Sequence, residues 1–453
     1  MSALAALADT LRIANSEFKH QGNSPLRYGG YTTAVTQGIA SVDGLPGDAT
    51  IGNVVRFENG VFGEIVKLDG RRAQISPFAN NSGIKIGDVA YLDDLGLPRP
   101  NDTWLGRSID SLGRPLDGLG PLLGSVETEF VPLEETDTSP LKRQAISEPI
   151  KTGVKAIDIF TPLCKGQRMG IFAGSGVGKS TLLSMLAKSD AFDAVVVALV
   201  GERTREVREF LEETLDEKAR AHTIAVVATS DESPILRRRA PELALDICEA
   251  LSAGGKNVLL LIDSLTRYAH ALREIGVASG EPPVARGYPS SVFSALPRLL
   301  ERAGMGRDGH GSITAIPTVL VDGDDHNDPV ADSVRGIIDG HLVLDRTIAE
   351  EGRYPPINPL SSVSRLSNKA WSSEERDLVL QLRKMISLFE ETKDLRMLGG
   401  GHAGADPKLD KAVATVPVIY EAISQMPDAP LSENAFADLV GYLKGEQGEA
   451  DNG

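Results

Sequence analysis

The run Ala173-Gly174-Ser175-Gly176-Val177-Gly178-Lys179-Ser180-Thr181 has the residue types and spacing of a loop that grips a polyphosphate. Glycines at 174, 176 and 178 let successive backbone N–H groups turn inward as an anion nest, and a helix starting there adds its positive N-terminal end. In such a loop Lys179 reaches the β and γ phosphates of a nucleoside triphosphate, and the Ser180 hydroxyl holds Mg²⁺. The apolar stretch 169–173 reads as a strand and 181–187 as a helix, the context that the G-x-x-x-x-G-K-[ST] pattern requires. Its first position is Ala173, small enough for a tight turn. Strand, loop, Lys-Ser and helix together set aside a glycine loop with no phosphate chemistry. A second apolar run, Leu259-Leu260-Leu261-Ile262-Asp263, ends in a carboxylate. An Asp at a strand end commonly caps a turn or helix; beside a phosphate loop it becomes support for Mg²⁺, acting through a bound water. A third run, 194–200, delivers Gly201-Glu202-Arg203 to the C-terminal end of a strand, the edge where open α/β sheets bind ligands. Glu202 there either polarises water or sits in solvent, and spacing leaves both readings open.

These groups need a scaffold, and the chain supplies enough residues for roughly three domains. It has 453 residues, 41% of them hydrophobic and 24% charged, the balance of an ordinary globular protein. The expected architecture is multi-domain α/β: an N-terminal β-barrel, a central P-loop parallel sheet with helices on both faces, and a C-terminal helical domain. Residues 1–24 read as an amphipathic helix and linker, with Leu4, Leu7, Leu11 and Phe18 near one face; the helix packs on its own domain or docks on a partner. Short β-rich runs broken by glycine over 25–95 suit a small barrel. Residues 96–145 read as a connector, Gly-, Pro- and Asp-rich over 105–120. Over 146–366 β-branched runs alternate with helical ones, which implies βα units. Ser372-Ser373-Glu374-Glu375 is a capping box that opens a helical region over 367–445, ahead of a frayed tail at 446–453.

Composition narrows the function further. With 47 Lys+Arg against 63 Asp+Glu the formal net charge is −16, which argues against a general nucleic-acid binder. No apolar run approaches the roughly 20 residues that span a bilayer, and the first residues lack a basic region, so a cytoplasmic protein is expected. Cys164 and Cys248 are far apart, without metal-ligand spacing, and read as buried small hydrophobes.

The phosphate loop, Gly201-Glu202-Arg203-Thr204-Arg205-Glu206-Val207, Asp263-Ser264-Leu265-Thr266-Arg267-Tyr268, the stretches 280–283 and 287–289, and Leu296-Pro297-Arg298 through Gly304 together resemble the rotary-type protein export ATPases. The resemblance runs from about residue 33 to 443. It is strongest to the flagellar export branch, whose relatives are the virulence type III secretion ATPases and the catalytic β subunit of ATP synthase. It implies a RecA-like central domain and Mg²⁺-dependent ATP hydrolysis that assists unfolding, chaperone release and delivery of flagellar proteins to an export gate. By the same resemblance Glu202 orients the attacking water and Glu206 supports the magnesium shell. Arg267, and after it Arg203, lie near the γ-phosphate, and Tyr354 stacks on the base. Ser362-Val363-Ser364-Arg365 matches the stretch that lends an arginine finger to the next subunit, which implies a homohexameric ring. Further implied partners are an export regulator, a central stalk protein facing a tip near 394–410, and export substrates with their chaperones, at the cytoplasmic face of the inner membrane. Ile316-Pro317 and Pro355-Pro356-Ile357-Asn358 depart from the family pattern, so base preference is less firmly implied than hydrolysis. Competing readings are a virulence secretion ATPase and a ring-shaped RNA translocase, whose barrel would need basic and aromatic residues that 28–95 largely lacks. A non-catalytic ring subunit is a third, which the joint presence of Lys179, Glu202, Asp263 and Arg365 opposes.

Overall fold

The computed structural model describes residues 29–80, 82–93, 100–123, 143–321, 328–397 and 406–445. The expected N-terminal helix, the C-terminal tail, most of the connector and part of the expected tip lie outside the described residues. Two compact units account for the chain. One contains the barrel together with Asp231–Arg238 and His270–Ser291, and the other contains Pro98–Ser230, Arg239–Ala269 and Val292–Gly453.

In the first unit six antiparallel strands, β1 (Gly29–Thr36), β2 (Ile39–Asp43), β3 (Val54–Phe57), β4 (Phe62–Asp69), β5 (Arg72–Pro77) and β6 (Val89–Asp93), close in the order β1-β2-β5-β4-β3-β6. Inward residues such as Val42, Val55, Ile65, Ile75 and Ala90 are fully buried and form its core. Gly30 is required by crowding: a Cβ there would lie 2.6 Å from Val42 Cγ1 and 2.8 Å from the Asp43 carbonyl. Two stretches expected in the nucleotide domain pack with this barrel. The buried Glu64 pairs with Arg238 at 2.5 Å, and Lys67 donates to the Ser279 carbonyl at 3.1 Å.

The second unit is built on a nine-stranded sheet. Its strands are β7 (Ser108–Asp110), β8 (Gly170–Ala173), β9 (Ala194–Glu202), β10 (Thr223–Thr229), β11 (Asn257–Asp263), β12 (Ser312–Leu320), β13 (Gly340–Leu344) and β14 (Val363–Ser364), with Gly304–Met305 pairing β12 off the main path. The order is β14-β13-β8-β12-β11-β9-β10-β7. Every pairing along this path is parallel except that of the edge strand β14. The central strands are buried almost throughout, as a sheet covered on both faces requires. One correction concerns the connector: Ser108–Asp110 is an edge strand paired with β10, although its Gly- and Pro-rich surroundings read as turns. A second concerns 206–215, where the apolar spacing within the alternating region reads as one helical run. It is an α-helical turn, Thr204–Arg208, followed by a π-helical segment, Glu209–Thr214.

The C-terminal helices Ser373–Glu391, Pro407–Ile423 and Ala435–Lys444 bury Leu382, Ile386, Val416, Ile419 and Leu439 in the core they share with the phosphate-loop helix. The capping box is present: Glu375 N–H donates to Ser372 Oγ at 3.2 Å, and Ser372 N–H donates to Glu375 Oε2 at 2.8 Å. Replacing Ser372 by Ala should cost that helix end about 1 kcal/mol. The readout is faster amide hydrogen exchange at Glu374 and Glu375, with Ser372→Asp staying close to the parent; equal exchange in all three chains would refute the cap's contribution.

Candidate functional site

The parallel strands bring their C-terminal ends to one edge, and the chemistry expected from the sequence collects there. β8 ends at Ala173 and turns into the glycine loop, in which Gly176 and Gly178 have φ of +76° and +96°. Only glycine takes these values without strain. The helix Lys179–Ala187 follows, and its N-cap Gly178 provides no side-chain cap, so the first N–H groups are left for a ligand. Gly174, Ser175, Gly176, Val177, Gly178, Ser180 and Thr181 thus form one continuous turn. Ser175 and Ser180 are exposed, whereas Val177 is buried and anchors the loop to the core.

Lys179 is drawn over the sheet edge into an ion pair with Asp263 at the end of β11, and it lies 3.5 Å from Glu202 Oε1 at the end of β9. Asp263 is held from below by Thr318 of β12, whose hydroxyl donates to Oδ1 at 2.9 Å. Glu202 is buried, and its Oε1 has no hydrogen-bond partner. Burial pushes its carboxyl up to about 7, with the Asp263 charge and a hydrogen bond to Glu206 adding to the rise and the Lys179 and Arg267 charges opposing it. Glu206 shifts the other way, held low first by that bond to Glu202. Arg267 donates to the Gly201 carbonyl and, at 3.3 Å, to Glu202 Oε2, so it fixes the turn that carries Glu202. Arg203 is largely exposed and lies 3.5 Å from Glu206.

Tyr354 and Pro356 stand beside the loop: a Cβ on Gly178 would lie 3.9 Å from Tyr354 Cε1 and 3.8 Å from Pro356 Cδ. Arg365 is elsewhere. It follows β14, its N–H donates to the Asp339 carbonyl, and its Nη2 donates to the Arg335 carbonyl at 3.2 Å. Asp339 precedes β13, so Arg365 sits where the parallel strands begin, whereas the glycine loop sits where they end. Gly340 to Leu344 is four residue steps, about 13 Å of strand.

Sequence reasoning missed three contributors. Arg346 donates from Nη2 to the Ser175 carbonyl at 3.0 Å and so braces the loop from β13. Thr318 supports Asp263 from within the buried strand β12. Gln425 N–H donates to the Tyr354 carbonyl at 2.7 Å. A cation one or two residues beyond a strand end is the signal that could have singled out Arg346.

Among the described residues no group of three or more His, Cys, Asp or Glu forms a metal cage. Mg²⁺ does not need one, because it is bound through one or two protein oxygens with waters and phosphate oxygens. An exposed Ser180, next in the chain to the Lys179 that meets Asp263 and Glu202, with Glu206 bonded to Glu202, fits that demand. No described helix is long and apolar enough to cross a membrane.

The buried Glu202 gives a signed expectation for the nucleotide-free chain. A carboxyl raised from 4.5 in the unfolded chain to about 7 in the fold destabilises the folded state as pH rises between those values. Glu202→Gln should therefore gain thermal stability over the parent progressively from about pH 4.5 to 7 and hold a constant gain above that. A melting-temperature difference that does not change with pH would contradict the burial argument.

Comparisons with known proteins agree with this geometry. Residues 153–364 match the ATP synthase alpha/beta family, nucleotide-binding domain, and 371–439 match the T3SS EscN ATPase C-terminal domain. A flagellum-specific ATP synthase of Agrobacterium fabrum is 52% identical over 450 residues, covering 98% of this chain and 92% of its own. A SPI-2 type 3 secretion system ATPase of Salmonella typhimurium is 46% identical over 369 residues, covering 81% and 83%. The structure of the assembled ATPase EscN from the enteropathogenic E. coli type III secretion system superposes with a TM-score of 0.82 at 39% identity, covering 92% of this chain and 99% of that one. A further EscN structure, in complex with its central stalk EscO, gives a TM-score of 0.79. A P-loop whose lysine meets carboxylates from two further strands, carried on a chain of this likeness throughout, is that of an ATPase: the protein belongs to the type III secretion ATPase family, on its flagellum-specific ATP synthase branch.

Proposed function

We propose that this ATPase hydrolyses ATP with Mg²⁺ at the interfaces of a homohexameric ring and spends the energy on flagellar protein export. Its work there is to assist unfolding and chaperone release and to deliver substrates to an export gate at the cytoplasmic face of the inner membrane. The observation that carries the reading is Lys179 set between Asp263 and Glu202 at the mouth of the glycine loop. Lys179 and the loop N–H groups hold the triphosphate, and Tyr354 faces the base. Glu202, with one oxygen free of hydrogen bonds and its carboxyl poised near neutral pH, orients and polarises the attacking water. Arg267 keeps Glu202 in place. Mg²⁺, held through Ser180 and Asp263 with support from Glu206, would neutralise charge on the phosphate oxygens. Arg203, at the exposed side of Glu206, adds positive potential at the rim.

The positive charge needed at the breaking bond comes from a neighbour. Arg365 lies at the opposite sheet edge from its own loop, beyond the reach of its side chain, so a ring that lends it to the adjoining subunit is the arrangement in which it acts. The assembled EscN relative and its complex with a central stalk support a ring and a stalk partner for this chain, and an export regulator completes the proposed set. No nucleic acid partner is proposed for an acidic chain. The flagellar relative spans 98% of the sequence against 81% for the virulence one, which favours flagellar substrates.

An arginine delivered in trans is worth roughly 10³ to 10⁵ in rate. Specific ATPase activity of the purified chain should climb with protein concentration. Arg365→Ala should still bind a fluorescent ATP analogue yet lose about 10³-fold in kcat, and Glu202→Gln should lose at least about 10²-fold. Full turnover in the Arg365 variant, unaffected by dilution, would rule out the shared site.

A further inference from the structure

The segment leaving β13 brings Tyr354 and Pro356 to the phosphate loop, and its far side is fastened to the C-terminal helices by stacked rings and guanidinium groups. The Arg353 guanidinium lies over the Tyr420 ring, 3.8 Å from its centroid. Its Nη2 and Nε donate to Glu351 Oε2 at 2.6 and 3.1 Å, which fixes its plane. Tyr420, on the helix Pro407–Ile423, donates its hydroxyl to Glu390 at 2.5 Å and meets Phe389 edge-on at 6.3 Å. Lys393 donates to the other oxygen of Glu351 at 2.7 Å, and Arg396 covers Phe389 at 3.7 Å. One residue beyond Arg353, the Tyr354 carbonyl accepts from Gln425 N–H. The Gln425 side chain accepts from Lys155 N–H at 3.1 Å and donates to the Gly153 and Pro430 carbonyls. Beside the stack opens a cleft of about 480 Å³ lined in part by Arg353, Phe389, Pro417 and Tyr420. Phe389 and Tyr420 are only partly buried and pack at the margin of the core, and stacking and ion pairing fasten Arg353 to them.

We propose that Arg353 is a positioning residue for nucleotide binding: clamped between the Tyr420 ring and Glu351, it holds the Tyr354–Pro356 wall against the phosphate loop. The inference deepens the proposed reading and rests on the assignment of Tyr354 to the base. The C-terminal helices thereby set nucleotide affinity, while the chemical step, built on Lys179 and Glu202, is left alone. Loss of the stack frees the wall and weakens the ground state and the transition state alike, which raises KM without lowering kcat.

The test uses the full chain, with steady-state ATP hydrolysis and melting temperature measured together. Arg353→Ala and Tyr420→Leu should each raise the KM for ATP about five- to tenfold, between the worth of an exposed and of a desolvated cation–π contact, with kcat within about twofold. Arg353→Lys, which keeps charge but loses the planar fork, should fall between them and the parent. Tyr420→Phe keeps the ring and should match the parent. A lowered melting temperature with unchanged KM in the first two variants means a merely structural contact and overturns the proposal, as does a Tyr420→Phe variant as impaired as Tyr420→Leu. Tyr354→Ala separates the two levels. An unchanged KM there sinks the base assignment, whereas a raised KM there with a normal one in Arg353→Ala sinks only the positioning role.

Discussion

An ammonium group shielded from water must be met by negative charge, and the meeting of Lys179 with Asp263 and Glu202 is the contact around which this sheet edge is organised. The loop bearing Lys179 leaves β8, and Asp263 ends β11; the two strands are not neighbours, because β12 lies between them. The pair therefore forms only in the assembled sheet, with the Thr318 hydroxyl of the intervening strand beneath the carboxylate. One ammonium cannot satisfy two carboxylates in a poorly hydrated place. The excess is settled by the raised Glu202 carboxyl, its hydrogen bond to Glu206 and the approach of Arg267. A triphosphate brings still more negative charge, which the proposed Mg²⁺ would offset.

Much of this was readable from the chain because its signals are contiguous. The glycine loop, the strand ending at Asp263 and the Ser372 cap each occupy a few successive residues whose physics is local, and each appears where its pattern places it. Arg346, Thr318 and Gln425 were not readable, since each acts through one bond to a residue at least 55 positions away. The edge strand β7 was hidden for a related reason. Three residues among glycines and prolines carry no periodicity of their own and become a strand only because β10 offers them a ladder. The π-helical segment after Arg208 likewise follows a helical sequence pattern with a wider turn that composition does not encode.

The two faces of the site have different foundations. Glu202 and Asp263 stand on the ends of two central strands that are buried almost throughout, so their spacing is as rigid as the core. On the Tyr354 side Pro355, Pro356 and Ile357 are buried, whereas Glu351 and Arg353 are fastened by exposed or half-buried ion pairs and stacked rings. Interactions of that kind are individually modest and open at low cost. Rigidity is thus concentrated at the two carboxylates, and compliance around Arg353.

The short strand Ser108–Asp110 bears on how the protein can be divided. It covers the free side of Thr223–Thr229, an apolar strand otherwise bare along one row of amides and carbonyls. A fragment cut at the start of the matched nucleotide-binding region, residue 153, would strip that cover and present a long hydrophobic margin ready to pair with any passing chain. Excision without aggregation requires the fragment to keep the residues around 107–117, so the segment leading out of the barrel is an integral part of the engine that follows it in the chain.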